Sequence, residues 1–285
     1  MRPLSLSDAA LLAPKLAGED AEVTDWVARS VSNGGSVSGA TRAAMNTFMG
    51  AVKSAGLRSK LLRVNLFCGN DFVHDNVTSS MGAVQVPLIK DKGGSLDLFS
   101  GPTLSWTYAE RGASGGLQQT GANWIDTTFV PSTDFSNIND CGFSVYVRDG
   151  SNEASVAMGC QTGSSSQGYI LAAYSDGSSY GNIWQTQIGA SDSAGKGLYT
   201  VSRTASNLMT LYKNGASLTS TTTPLGSLPN VTLAVFAQRG GTPTIGQYCT
   251  KRMGGYVIHL GLSASEVLSL YNAIQAFQTA LTRNV

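Results

Sequence analysis

Two runs in the last third of the chain, Tyr199-Thr-Val-Ser-Arg-Thr and Leu208-Met-Thr-Leu-Tyr-Lys, alternate apolar and polar residues. A period of two sends successive side chains to opposite faces of a strand, so these runs predict antiparallel strands with one buried face. Asn207 and Asn214-Gly215 stand where the chain must reverse, and these residue types accept the positive φ of tight hairpin turns. Further strands are predicted over Val231 to Ala237 and from Met253 to Leu260, with a polar Gly240-Gly241 loop between them. Then the period changes. Val267, Leu270, Tyr271, Ile274, Phe277 and Leu281 recur at threes and fours and draw one apolar stripe along a helix. Ser263 and Glu266 precede it as a capping box, in which each side chain satisfies an amide left open at the helix start.

Helical periodicity also marks the front of the chain. From Glu22 to Ser32, the residues Val23, Trp26, Val27 and Val31 form one face, ended by Asn33-Gly34-Gly35. A second helix, capped by Ser38 or Thr41, places Ala44, Met45, Phe48, Val52 and Ala55 on one side before Gly56 ends it. Leu57 to Leu62 adds a short amphipathic piece. A helical hairpin of this size cannot bury its own apolar stripe, so Trp26, Val27, Val31, Phe48 and Val52 must pack on the rest of the chain or anchor on a partner. Residues 1–20, with Pro3, Pro14 and no period, read as an arm.

Between Gly69 and Tyr199, strands are predicted at Val84 to Ile89, Leu96 to Phe99, Leu104 to Tyr108 and Asn123 to Val130. Gly142 to Arg148, Ala154 to Cys160, Tyr169 to Tyr174 and Asn182 to Ile188 complete the set. The expected division is an arm at 1–20, a helical anchoring segment at 21–63, and a β-sandwich at 64–285 whose closing helix covers 263–282. No internal repeat of solenoid or propeller length occurs.

Composition narrows the function classes. Charged residues are 13% of the 285, roughly half the usual share of about 25%, and the formal net charge is +1. Such a chain has no field to gather nucleic acid, and no run of interleaved basic and aromatic residues appears. No segment approaches the length of about 20 apolar residues that crosses a bilayer. The opening segment is broken by Asp8 and Pro14 before a signal core develops, so export by the usual route is not expected. Cys68, Cys141, Cys160 and Cys249 lie far apart without Cys-x-x-Cys spacing and are expected to be reduced and buried.

Glycoside hydrolysis requires two carboxylates about 5–10 Å apart, yet Glu153 stands without a second acid at strand spacing, and Asp134 and Asp140 sit among turn residues. His74 and His259 belong to no metal-like or Cys-His motif, and no Gly-Lys-Ser or Gly-Lys-Thr follows a glycine-rich loop. Ser164 and Ser178 lack the context of a nucleophile elbow. The Asn76-Val-Thr78 and Asn230-Val-Thr232 sequons are short enough to arise by chance. Asp176 and Asp192 are candidate rim ligands for calcium, but no cluster of oxygen donors surrounds them in sequence, so no metal or cofactor is expected. Aromatics give a positive signal: Trp106, Tyr108, Trp124, Tyr174, Tyr180 and Trp184 offer flat faces on which sugar rings can stack. Core packing is the competing explanation and is favoured for Trp106 and Trp124. Tyr174, Tyr180 and Trp184 are kept as glycan-binding candidates.

Leu211-Tyr212-Lys213-Asn214-Gly215, followed by Leu262-Ser263 through Glu266 to Leu270-Tyr271, resembles the closing words of concanavalin A-like, or laminin-G-like, jelly-roll domains. The resemblance implies a mainly β fold, a two-sheet sandwich with an N-terminal helical hairpin and a C-terminal helix. The Glu-x-Asp-x-x-Glu word of laminarinase-type enzymes sharing that fold is missing. The chain also resembles structural proteins of tailed phages and prophages, through Asp25, Trp26, Val27 and Arg29, the Asn33 to Gly35 break, the Ser54 to Gly69 run and the stretch from Gln275 to Arg283. That resemblance implies a non-enzymatic virion component, assembled in the host cytoplasm and displayed as capsid decoration, head fibre or tail-fibre part. Its expected partners are other virion proteins and host-surface polysaccharide, with trimers favoured and neither nucleic acid nor membrane insertion involved. A lectin-like adhesin and a polysaccharide-degrading glycosidase are the alternatives.

Overall fold

In the computed structural model, which describes residues 18–69, 82–163, 166–172, 174–184, 187–223, 226–240 and 244–285, the chain opens with helices α1 (Ala21–Ser32) and α2 (Gly39–Ser54). Residues 1–17 of the predicted arm, His74 and the Asn76 sequon lie outside the described residues. Strands β1 (Leu61–Asn65), β2 (Ile89–Lys90), β3 (Leu98–Ser100), β4 (Trp106–Ala109), β5 (Gly116–Gln119) and β6 (Trp124–Asp126) follow, then the one-turn helix α3 (Pro131–Asp134). Next come β7 (Cys141–Val147), β8 (Met158–Gly163), β9 (Ser166–Leu171), β10 (Ser178–Ile183) and β11 (Gln187–Ser191). The hairpin of β12 (Gly197–Ala205) and β13 (Leu208–Lys213) leads to β14 (Ala216–Thr221), β15 (Ala234–Val235), β16 (Gln238–Arg239), β17 (Ile245–Gly246), β18 (Met253–His259) and helix α4 (Ala264–Ala280).

The strands form two sheets packed face to face. The first runs β14-β13-β12-β7-β18-β1-β2, with β5 on β18 and β4 on β5; the second runs β11-β10-β9-β8-β15-β6-β3, with β16 on β8 and β17 on β16. The mainly β, two-sheet sandwich with terminal helices is therefore the fold. Alternation fills the space between the sheets: Phe143, Val145, Tyr199, Val201 and Leu211 of the first meet Met158, Cys160, Ile170 and Ile183 of the second, all at 0% exposure. At each of these positions the intervening residue points away from the core.

A third layer covers the outer face of the first sheet. There Val64, Leu66, Tyr146, Leu198 and Val257 form one core with the apolar stripes of α1, α2 and α4. The Phe48 and Phe277 rings meet edge to face at 6.3 Å, tying α2 to α4. Ser263 and Glu266 make the expected capping box at the start of α4. Trp26 donates from Nε1 to the Val86 carbonyl at 3.0 Å. This overturns partner anchoring through the helical stripe: Trp26, Val27, Phe48 and Val52 are 5% exposed or less within the single chain, and only Val31, at 39%, still faces solvent. The reason is supply of apolar surface, since the first sheet presents a greasy outer face that needs these side chains.

Two predicted strands break at aromatic residues. Val231 to Ala237 contains Phe236 at φ 68°, where the chain reverses so that β15 runs antiparallel and β16 parallel to β8. Asn182 to Ile188 contains Trp184 at φ 60°, and the chain turns there into the β10–β11 hairpin. Bulky residues are unusual at positive φ. Here both rings are fully buried, and that burial offsets the local strain. Of the Val84 to Ile89 strand, only Ile89 is in β2, and Gly82–Gln85 forms a 3₁₀ turn against α1.

Candidate functional site

Among the described residues, no helix packs on the outer face of the second sheet. Register decides what it displays: Tyr169 pairs across with Gly159 on one side and Asn182 on the other, Asn182 pairs with Gln187, Gln161 pairs with Gln167, and Tyr180 lies between Leu171 and Gly189. Because residues two apart share a face, Gln167, Tyr169 and Leu171 of β9 point outward together while Gly168 and Ile170 point to the core. Gly189 leaves space for an aromatic neighbour, since a Cβ there would fall 2.3 Å from the Tyr180 ring.

These residues enclose a hollow of about 290 Å³. Its floor is Tyr169 and Leu171, each 7% exposed, and its walls include Gln161, Gln167, Gln187, Gln238 and Gln247. Tyr174 and Tyr180 stand at one side, with ring centroids 5.9 Å apart and planes at 84°. The Tyr180 hydroxyl donates to the Asp176 carboxylate, and Asp176 also accepts from the Ser178 amide at 2.9 Å. The Tyr180 bond lowers the Asp176 pKa and raises that of Tyr180. Tyr169 donates to Gln187 Oε1 at 2.6 Å, which fixes one wall amide. Gln247 is held at φ 52°, a conformation sparsely populated by non-glycine residues, on the wall of the hollow. A second hollow of about 360 Å³ adjoins the first and shares Gln161, Gln238 and Gln247 with it.

Of the three glycan-binding candidates, the structure brings Tyr174 and Tyr180 together and removes Trp184. Trp184 is 0% exposed, packs on Phe135 and Phe143 in the core, and donates from Nε1 to Cys141 Sγ at 3.1 Å. The positive φ of Trp184 goes with a ring turned inward to the core. The five glutamines and Tyr169 were missed as site residues. Their signal was the strand alternation itself: in β9 the outward positions carry Gln and Tyr where a solvated face more often carries charge.

The other candidates have structural roles. Asp134 accepts from the Val130 amide at 2.7 Å, Asp140 from the Gly261 amide at 2.6 Å, and Glu153 from the Thr250 amide and the Thr250 and Ser155 hydroxyls. Asp192 accepts from Ser179, Tyr199 and Lys213, so neither Asp176 nor Asp192 presents a bare carboxylate. Among the described residues no group of three His, Cys, Asp or Glu side chains is placed to hold a metal, and no helix is long and apolar enough to cross a membrane. His259 is fully buried beneath the helical layer, with Nδ1 on the Leu260 carbonyl at 2.7 Å and Nε2 on Ser144 Oγ at 3.0 Å. Burial pushes its pKa down to about 4. All four cysteines are free and buried, and burial pushes the Cys68 and Cys141 thiols up to about 12. Trp106 is in the core; Trp124 is half-buried, with the Arg239 guanidinium 5.3 Å from its ring.

No family model matches the chain, and neither does any curated protein. Solved structures do resemble it in shape. A structure of botulinum neurotoxin type C, whose route into cells depends on interaction with two ganglioside molecules, superposes with a TM-score of 0.50 at 10% identity, over 78% of this chain and 53% of the toxin chain. Domain 4 of the extracellular arabinanase AbnA from Geobacillus stearothermophilus, in complex with arabinotriose, gives 0.44 at 14% identity, over 62% of this chain and 88% of that one. A Trypanosoma rangeli sialidase mutant with trans-sialidase activity gives 0.46 at 12% identity, over 81% and 39%. The chain thus spans about half of the toxin chain and less of the sialidase. At such identities the toxin likeness supports the sandwich fold alone.

Proposed function

We propose that this chain is a non-enzymatic carbohydrate-binding protein that recognises glycan through the open face of its second sheet. One observation carries the proposal: the fold gathers three tyrosines and five glutamines around a hollow on a face that, among the described residues, no helix covers. Side-chain amides both donate and accept, which suits sugar hydroxyls, and phenol rings supply the flat apolar contact that sugar C–H faces seek. The described lining consists of side-chain amides, phenols and one leucine, groups that suit holding a sugar. The toxin of similar fold depends on gangliosides for reaching the cell interior, which fits an architecture that hosts glycan recognition.

The setting we propose is the surface of a tailed-phage particle, resting on the sequence resemblance. In that setting the sheet would face outward toward host polysaccharide. Glycan-array binding by the wild-type protein, lost in Tyr180→Ala and Tyr174→Ala, is the expected result. Binding that survives both substitutions would reject this face as the site. Immunogold labelling of intact particles tests the setting separately, and absence of label from the particle surface would reject it.

A further inference from the structure

Resting on that reading, we infer that the ligand is a neutral, extended oligosaccharide that lies across both hollows, with Gln161, Gln238 and Gln247 at the boundary between its sugars. Charge supports the first half of this inference. Neither hollow is lined by a Lys, Arg, His, Asp or Glu among the described residues. The cation next in sequence, Arg239, is already paired with Asp126 and lies over the Trp124 ring. On the opposite side, the Asp176 carboxylate engages Tyr180 at the wall of the first hollow. A uronate or sialate would therefore shed water without gaining a counter-charge, and would sit near a like charge. A neutral sugar meets only amides, hydroxyls and rings.

The second half rests on two glycines. Gly163 ends β8 and Gly246 ends β17, both line the second hollow, and a Cβ at either would meet nothing within 4 Å among the described residues. Neither adopts a positive φ. Backbone geometry and packing would thus admit a side chain at both positions, and glycine within a strand costs stability relative to alanine. What the missing side chains leave is room above the sheet. That room continues the tyrosine-walled hollow, as a chain of linked sugars requires. Each hollow lies near the lower end of the usual range of about 300–1,000 Å³ for ligand sites, which suits a short stretch of glycan in each.

The test is calorimetric titration of the full chain with disaccharides and hexasaccharides of neutral glucans, galactans and N-acetylhexosamine polymers, beside oligoalginate and oligosialic acid of matched length. The expected result is a neutral hexasaccharide bound about tenfold or more tighter than its disaccharide. Gly246→Phe, which plugs the second hollow, should erase most of that gain, and Gly163→Phe provides an independent plug should the first variant lose its folded thermal midpoint. Acidic oligomers binding more tightly than neutral ones would overturn the inference while leaving glycan recognition intact. So would equal affinity for short and long oligomers together with indifference to both plugs. Binding of no oligomer of either kind would instead count against the carbohydrate reading itself.

Discussion

The outer faces of the two sheets differ in a way that separates stability from recognition. On the first sheet the outward positions include Val64, Tyr146, Leu198 and Val257, roofed by three helices. On the second they include Gln161, Gln167, Tyr169, Tyr180 and Gln187, and among the described residues no helix covers them. Both faces arise from the same period-two alternation. The residue types set the outcome: an apolar face must be buried, so helices cover it, whereas a face of amides and phenols can remain in water and meet a polar ligand. Substitutions under the roof should therefore change folding, and substitutions on the open face should change binding.

The largest expected effect belongs to the roof. Phe48→Ala removes a ring that is 1% exposed and packed against Phe277, and should lower unfolding free energy by about 3–5 kcal/mol in denaturant titration. The folded fraction should keep the wild-type glycan affinity. A Phe48→Ala protein of unchanged stability would break the comparison.

The next effect is a pH dependence beneath the same roof. His259 has a pKa of about 4 when folded, against an ordinary 6.5, because burial disfavours the imidazolium, and the Lys60 charge acts in the same direction. The unfolded chain then binds the extra proton more readily. Stability from the neutral ring is fully present above pH 6.5 and is lost as pH falls toward 4, by about 3 kcal/mol in all. Denaturation midpoints measured across that window should fall with acid, and His259→Gln should flatten the slope. A slope unchanged by that substitution would remove His259 as its source.

Smaller again is the cap of α4. Ser263→Ala removes one half of the capping box and should cost about 1 kcal/mol by thermal or chemical denaturation. Smallest is the effect of open-face substitutions on folding. Gln187→Ala, at an exposed position, should shift stability by less than about 0.5 kcal/mol while weakening glycan binding in the same preparation. A stability loss as large as that of Phe48→Ala would mean that the open face also serves the core.

Much of the roof was legible in the sequence because amphipathic helices announce themselves through a sustained period and through caps. Ser263 with Glu266, and the stripe from Val267 to Leu281, needed no tertiary information. The Asn214-Gly215 hairpin was legible for the same reason, since its turn chemistry is local. What the stripe of Trp26, Val27, Phe48 and Val52 packs against was not local, and its burial became evident only beside the greasy outer face of the first sheet.

The open face was only half legible. Tyr174 and Tyr180 were identified as exposed aromatics, but Trp184 was grouped with them because sequence does not reveal a tryptophan at positive φ turned into the core. The glutamines went unnoticed singly. Gln161, Gln167, Gln187, Gln238 and Gln247 come from β8, β9, β11, β16 and the loop before β18, and only strand register brings them to one hollow. The reversal at Phe236 is what places Gln238 beside β8, and nothing in the run from Val231 to Ala237 signals it.

The most direct test of the recognition face is residue-resolved NMR titration of the protein with the glycan that binds best on an array. The account predicts amide shifts concentrated at Gln161, Tyr169, Tyr180, Gln187 and Gln238, with α1, α2 and α4 unmoved. Shifts confined to the helical layer, or to the edge strands of the first sheet, would contradict it.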